Sequence, residues 1–293
     1  MTIPSRCTAA LLLMSTLFAC SPARQLPVAS TSAATKTEAR TADFGPLENR
    51  RGARIGVYAV DTGSGREIAH RADERFAYAS TFKALLVGAV LLRDVNLDEV
   101  IRYSGADLVA HAPITGERTE LTVRELCDAA VRYSDNTAAN LLLRELGGPA
   151  GFADAMREIG DTTLHADRFE TDLNTAVPHD IRDTSTPKAL ATSLEALTTG
   201  DALPEDERAF LVDLLRRNTT GDALIRAATP DGWIVGDKTG TAAYGTRNDI
   251  AVIWPPDRAP IVIAVLTTHP DPDAEPDDAL VAEAARIALD ALV

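Results

Sequence analysis

Ser80-Thr81-Phe82-Lys83 sets a hydroxyl and an ammonium three residues apart where an apolar, helix-like segment begins. Side chains at i and i+3 of a helix are neighbours, so the pair can share a proton. A serine hydroxyl is a poor nucleophile until a base takes its proton, and a desolvated lysine of lowered pKa can take it. The positive end of the helix would favour the attacking alkoxide. The pattern alone is weak, because Ser185-Thr186-Pro187-Lys188 repeats it. There Pro187 suits the first turn of a helix and the Ser/Thr beside it suits the cap, so that copy reads as capping. Two further motifs sharpen the signal: Ser134-Asp135-Asn136, and Lys238-Thr239-Gly240 on an expected strand. The period of two along that strand sets Thr239 and Thr241 on one face and Lys238 on the other.

The elements must bring these motifs together. The 293 residues are 45% hydrophobic and 25% charged, a globular composition whose length suggests roughly two domains. A short helix over residues 47–51 should lead into a strand at 55–60, a turn at 61–65 and a second strand from 66. From 80 to about 217 the pattern is helical, with Phe82, Leu85, Leu86, Ala89 and Val90 on one stripe. Apolar, β-branched runs at 233–235, 250–254 and 261–267 read as antiparallel strands, and 278–292 as an amphipathic helix. The predicted fold class is α+β, an α/β sandwich: an antiparallel five-stranded sheet built from both chain ends with flanking helices, plus an inserted all-α lobe. Residues 42–79 and 218–293 would form the sheet-containing domain and 80–217 the all-α domain, with the active site at their junction.

Lys and Arg total 29 against 43 Asp and Glu, a net charge of −14, which gives a polyanion no general reason to bind and argues against nucleic acid as a partner. Residues 1–20, with Arg6, an apolar stretch at 9–19 broken by Ser15 and Thr16, and then Cys20, read as a signal peptide. The run falls short of the roughly 20 residues that span a bilayer. Leu17-Phe18-Ala19-Cys20 resembles the bacterial lipobox, in which the cysteine is acylated, so Cys20 would anchor the protein to a membrane; alternatively it is an incidental residue of a signal removed nearby. Both readings export the protein, to the periplasm or the cell surface. Residues 21–41, rich in Ala, Ser, Thr and Pro, read as a flexible tether. Cys7 would leave with the signal, and Cys127 is then a lone core residue with no disulfide partner. The five histidines form no ligand pattern, so neither a metal nor a cofactor is expected.

Ser-x-x-Lys, Ser-Asp-Asn and Lys-Thr-Gly in this order form the signature of class A β-lactamases and penicillin-binding proteins. The chain resembles that superfamily from about residue 44 to its end. Glu170-Thr171-Asp172-Leu173-Asn174 matches the Glu-x-x-Leu-Asn of the class A loop, which penicillin-binding proteins lack. An acyl-serine ester is long-lived unless a carboxylate activates water against it, and Glu170 with Asn174 could hold that water. Arg168 and Asp183 match the ion pair at the family's loop base; otherwise they are unrelated charges.

The resemblance implies a small-molecule β-lactam as partner, a monomer, and an exported serine β-lactamase hydrolysing the amide of penicillins and cephalosporins through an acyl-serine intermediate, thereby conferring resistance. The alternatives are a D,D-peptidase or a non-hydrolysing penicillin-binding sensor domain. Ser80 would attack, with Lys83 or Glu170 through water taking its proton. Ser134 would relay a proton to the departing nitrogen, supported by Lys238. Asn136 would bond the substrate's side-chain amide. Thr239, Gly240, Thr241 and Arg247 would hold its carboxylate, and the backbone N–H groups of Ser80 and Thr241 would form the oxyanion hole. Four departures from the family pattern stand out. His111 replaces a usual aromatic at the cleft rim, or is simply a surface histidine. Thr171 replaces a frequent proline, so a cis bond there would be a non-proline one. Val87 occupies the place of a cysteine that some members set against the equivalent of Cys127. Thr241 and Ala242 flank the site and bear on which β-lactams fit.

Overall fold

The structure is a computed structural model and describes residues 42–293; the expected signal peptide, Cys20 and the tether lie outside the described residues. In chain order the strands are β1 (Arg54–Asp61), β2 (Arg66–His70), β3 (Phe76–Ala77), β4 (Val100–Arg102), β5 (Glu120–Thr122), β6 (Thr184–Ser185), β7 (Ile234–Ala242), β8 (Thr246–Trp254) and β9 (Ile261–Thr268). The helices are α1 (Gly45–Arg51), α2 (Phe82–Leu92), α3 (Val123–Arg132), α4 (Asn136–Glu145), α5 (Pro149–Glu158), α6 (Pro187–Thr198), α7 (Glu205–Arg216), α8 (Ile225–Ala228) and α9 (Asp278–Leu292).

The expected five-stranded antiparallel sheet is present, in the order β2-β1-β9-β8-β7. Its strands come from both ends of the chain: β1 pairs β9 with Tyr58 opposite Ala264, and β8 pairs β7 with Ile250 opposite Lys238. Both faces are covered. Ile261, Ile263 and Val265 of β9 enter one core with Leu280, Val281 and Ala284 of α9, while Val262, Ala264 and Leu266 enter the other with the helical block. That double burial is why β9 reads as an unbroken apolar run.

Every residue from Phe82 to Leu91 in α2 is buried, as expected of a helix hydrophobic all round at the centre of a domain. A Cβ at Gly88 would lie 2.5 Å from Leu197 Cδ1, so glycine there permits the close approach of α2 to α6. Helix starts are fixed by side chains. Thr122 and Glu125 form a reciprocal capping box on α3, and Thr186 Oγ1 accepts from Ala189 N at 3.1 Å with Pro187 in the first turn of α6. The second Ser-x-x-Lys copy is therefore a helix start, as its composition suggests.

The structure corrects the sequence reading in three places. The segment 80–217 is not all helix: β4 and β5 form a two-stranded ribbon within it, and β6 pairs with β3. These strands are two or three residues long and carry no periodicity to read. β7 runs unbroken from Ile234 to Ala242, so the run expected at 233–235 and the strand expected at Lys238-Thr239-Gly240 are one element, joined through Gly236 and Asp237. β8 begins at Thr246 rather than 250: its polar start, Thr246-Arg247-Asn248, lacks an apolar pattern but pairs with Ala242, Thr241 and Gly240 of β7. Among the described residues no helix is long and apolar enough to cross a membrane.

Candidate active site

Ala79 to Thr81 make a single 3-10 turn that feeds α2. Ala79 holds a left-handed backbone (φ 48°) and sets Ser80 at the mouth of the helix. Lys83, one turn on and fully buried, donates from Nζ to Ser80 Oγ (2.8 Å), Ser134 O (2.9 Å) and Asn136 Oδ1 (2.5 Å), and lies 2.9 Å from Glu170 Oε1. Burial pushes the Lys83 pKa down, against the opposing pull of the Glu170 charge. Ser80 Oγ is also 3.4 Å from Glu170 Oε1. The hydroxyl thus sits between an amine and a carboxylate, each able to take its proton.

Glu170 is delivered by the loop between Arg168 and Asp183. Arg168 Nε meets Asp183 Oδ2 at 2.5 Å, while Asp183 Oδ1 accepts from Asp167 N (2.9 Å), Arg168 N (3.0 Å) and Tyr78 OH (3.2 Å). These charges form a pair that closes the neck of the loop. The Glu170–Thr171 peptide is cis. Residues Asp172–Thr175 form a 3-10 turn that brings Asn174 back under the carboxylate, where its Nδ2 donates to Glu170 Oε2 at 2.5 Å. Asn174 Oδ1 is buried with no partner among the described residues, an acceptor beside that carboxylate. Asn140 of α4 clamps the Glu170 backbone from both sides: its Nδ2 donates to Glu170 O and its Oδ1 accepts from Glu170 N, each at 2.8 Å.

The opposite wall comes from the start of α4 and from β7. Asp135, the middle residue of Ser134-Asp135-Asn136, caps α4 through Ala138 N (2.9 Å) and accepts from Ile114 N (3.0 Å) and Thr115 N (2.9 Å). It holds Ser134, itself left-handed at φ 57°, and Asn136 in place. Lys238 Nζ donates to Ser134 Oγ at 3.1 Å; burial and the nearby Lys83 charge bring its pKa down to about 7. At Gly240 a Cβ would lie 3.0 Å from Tyr78 O and 3.1 Å from Ser80 N, so glycine lets the strand approach the serine turn. Thr239 Oγ1 is 2.6 Å from Thr220 Oγ1, and Arg247 donates to Thr241 Oγ1 at 2.9 Å.

A cavity of about 350 Å³ gathers Ser80, His111, Ser134, Asn136 and Asn174 on one side and Thr220, Thr239, Gly240, Thr241 and Arg247 on the other. Lys83, Glu170 and Lys238 are buried next to this lining and bonded to it. His111 lies on the rim with φ 60° and Nε2 at 3.1 Å from Tyr133 O. The expected opposition of Lys238 to the two threonines does not keep it from the site. β7 is an edge strand, and the long lysine stem reaches Ser134 from the other face. Arg247 is not free, since its Nε pairs with Asp278 Oδ1 at 2.5 Å. Asn136 is engaged as well, donating from Nδ2 to Ala110 O at 2.8 Å.

Sequence reasoning missed Asn140, Thr220 and Asp278, and treated Asp135 only as part of a motif. Asp135 carried a readable signal as an N-cap before a helix; the others stand at ordinary polar positions. Among the described residues no group of three or more His, Cys, Asp or Glu is arranged to hold a metal. Cys127 is buried and free, and burial pushes its thiol pKa up.

The arrangement can raise the nucleophilicity of one hydroxyl and place a carboxylate next to whatever that hydroxyl binds. Residues 38–292 match the model of the family described as "Beta-lactamase enzyme family". The chain is 58% identical over 253 residues to a β-lactamase of Bacillus amyloliquefaciens, covering 85% of this chain and 83% of that one. It is 55% identical over 283 residues to β-lactamase AST-1 of Nocardia asteroides, covering 94% and 91%. The crystal structure of a halotolerant bacterial β-lactamase superposes with a TM-score of 0.83 at 53% identity, covering 84% of this chain and 97% of that one.

Proposed function

Because the chain belongs to the beta-lactamase enzyme family, as a class A serine β-lactamase whose hydrolysis of β-lactams confers resistance, we propose that it opens the ring of penicillins and cephalosporins in two steps. In the first, Ser80 Oγ attacks the β-lactam carbonyl as its proton passes to Lys83, or to Glu170 through water. The C–N bond breaks, and Ser134, supported by Lys238, delivers a proton to the departing nitrogen. Backbone N–H groups of Ser80 and Thr241 receive the oxyanion, a donor of which kind is worth roughly 3 kcal/mol. Asn136 takes the substrate's side-chain amide, while Thr239, Thr241 and Arg247 take its carboxylate beside Gly240. In the second step Glu170, with Asn174, draws a proton from water, which attacks the acyl ester and frees Ser80.

The observation that carries this reading is the Glu170 carboxylate, 2.9 Å from Lys83 Nζ and 3.4 Å from Ser80 Oγ. A D,D-peptidase or a penicillin sensor shares the acylation residues but has no use for a carboxylate at that spot. The test is hydrolysis of a chromogenic cephalosporin followed by mass spectrometry. Ser80→Ala should form no adduct, whereas Glu170→Ala should accumulate an acyl-enzyme. Deacylation of the Glu170 variant at the wild-type rate would sink the assignment. Export through residues 1–20 and anchoring through Cys20 belong to the same proposal, and Cys20→Ala should then release the enzyme from membranes.

A further inference from the structure

The catalytic cleft is not the only concavity of ligand size among the described residues. A cavity of about 590 Å³ lies under the far half of the loop that carries Glu170, bounded by the start of β1, the chain around β3 and the residues after β9. That volume suits a small molecule. Val177 and Ile181 of the loop are 48% and 55% exposed at its mouth, and Phe76 lines its wall. Exposed apolar side chains gathered around a concave surface are the make-up of a ligand-binding groove.

The polar part of the lining is lopsided. Arg54, Arg75, Arg168 and Arg182 face two carboxylates, Glu74 and Asp180. Arg54 pairs with Glu74 and Arg182 with Asp180, both at 2.7 Å. Arg75 has no carboxylate partner among the described residues; its guanidinium reaches only Thr184 Oγ1 (3.1 Å), Thr184 O (3.5 Å) and Thr163 O (2.8 Å). His269 adds a buried Nε2 with no hydrogen-bond partner among the described residues. A protein of net charge −14 thus keeps a cation-rich, apolar-walled cavity away from its chemistry.

We propose that this cavity is a second ligand site, for one small organic anion with an apolar body, such as an aryl or branched-alkyl carboxylate or sulfonate. The apolar body packs on Phe76, Val177 and Ile181, and the anionic end lies toward Arg75. The arginine fork can donate to two oxygens of a carboxylate or a sulfonate at once. Arg168 spans both places: it lines this cavity and, through Asp183, closes the loop that presents Glu170.

The probe is 8-anilino-1-naphthalenesulfonate, an apolar sulfonate whose fluorescence rises on leaving water, titrated into the native full-length protein. Saturable one-to-one binding is expected. Val177→Asp and Ile181→Asp should each weaken it at least tenfold, with thermal midpoint and turnover close to wild type. Val177→Lys, equally polar but of opposite charge, should keep or tighten it. Arg247→Ala, in the catalytic cleft, should leave the affinity within twofold. Absence of saturable binding, unchanged affinity in both aspartate variants, weakening by Val177→Lys equal to that by Val177→Asp, or loss in Arg247→Ala would each overturn the proposal. The readout is fluorescence, so failure of the protein to hydrolyse β-lactams would leave this inference standing.

Discussion

Replacing Asn140 by alanine tests whether Glu170 is positioned by α4. The change removes one donor and one acceptor from a buried site and leaves the N–H and C=O of Glu170 without their 2.8 Å partners. An orphaned buried polar group costs about 1–3 kcal/mol, so the pair sets a range of about 2–6 kcal/mol. The catalytic cleft adjoins the site and can admit water to the freed groups, which places the expectation near the lower end, about 2–4 kcal/mol. Urea unfolding should show a lower midpoint with unchanged slope. The catalytic effect is separate. A positioned general base contributes about 10²–10⁴-fold, and a Glu170 free to drift should lose about 10²-fold of that, read as slower cephalosporin hydrolysis with acyl-enzyme visible by mass spectrometry. Asn140→Asp keeps an acceptor for Glu170 N but sets a second carboxylate nearby, so the acid limb of its pH–rate profile should move up. An alanine variant within 0.5 kcal/mol of wild type and turning over at the wild-type rate would refute the clamp.

Other perturbations probe the remaining walls. Asp278→Ala releases Arg247 from its ion pair; Asp278 is about half exposed, where such pairs contribute about 0–1 kcal/mol. KM for anionic β-lactams should fall by about two- to fivefold, most at low salt, and an unchanged KM would contradict Asp278 as a competitor for the arginine. Lys238 titrates near pH 7 in the fold and near 10.5 when free, so across that window the unfolded chain holds more protons and stability rises with pH. Lys238→Met should flatten this rise in urea titrations, and an identical pH slope in the variant would count against it. Asp183→Asn keeps an acceptor but strips the charge opposite Arg168, and breaking such a pair costs about 3–5 kcal/mol; faster proteolytic cleavage within residues 168–183 is expected, and equal resistance would argue against the neck.

The architecture was legible because burial dictates it. The apolar runs of β1 and β9, the apolar length of α2 and the amphipathic α9 each announce themselves in composition. Legibility falls where the chain serves the site. Thr246, Arg247 and Asn248 look nothing like a strand, because they carry polar side chains at the site end of the sheet, opposite Ala242, Thr241 and Gly240. Lys83 and Lys238 could be found only as motif members, since full burial of two ammonium groups breaks the usual rule that lysine stays wet. Asn140, Thr220 and Asp278 were silent for another reason: each acts on a residue 30, 19 or 31 positions away. No local pattern encodes such a contact.

The union of β1 with β9 bears on when the chain can fold. Gly56 faces Leu266 across the sheet, so a strand made early in translation must wait for one made near the end. Until the ribosome has released the C-terminal segment, β1 has only its hairpin neighbour β2, and two strands alone are marginal in water. Closing so long a loop is slow as well as late. The five-stranded sheet of the nascent polypeptide therefore stays unmade for most of its synthesis.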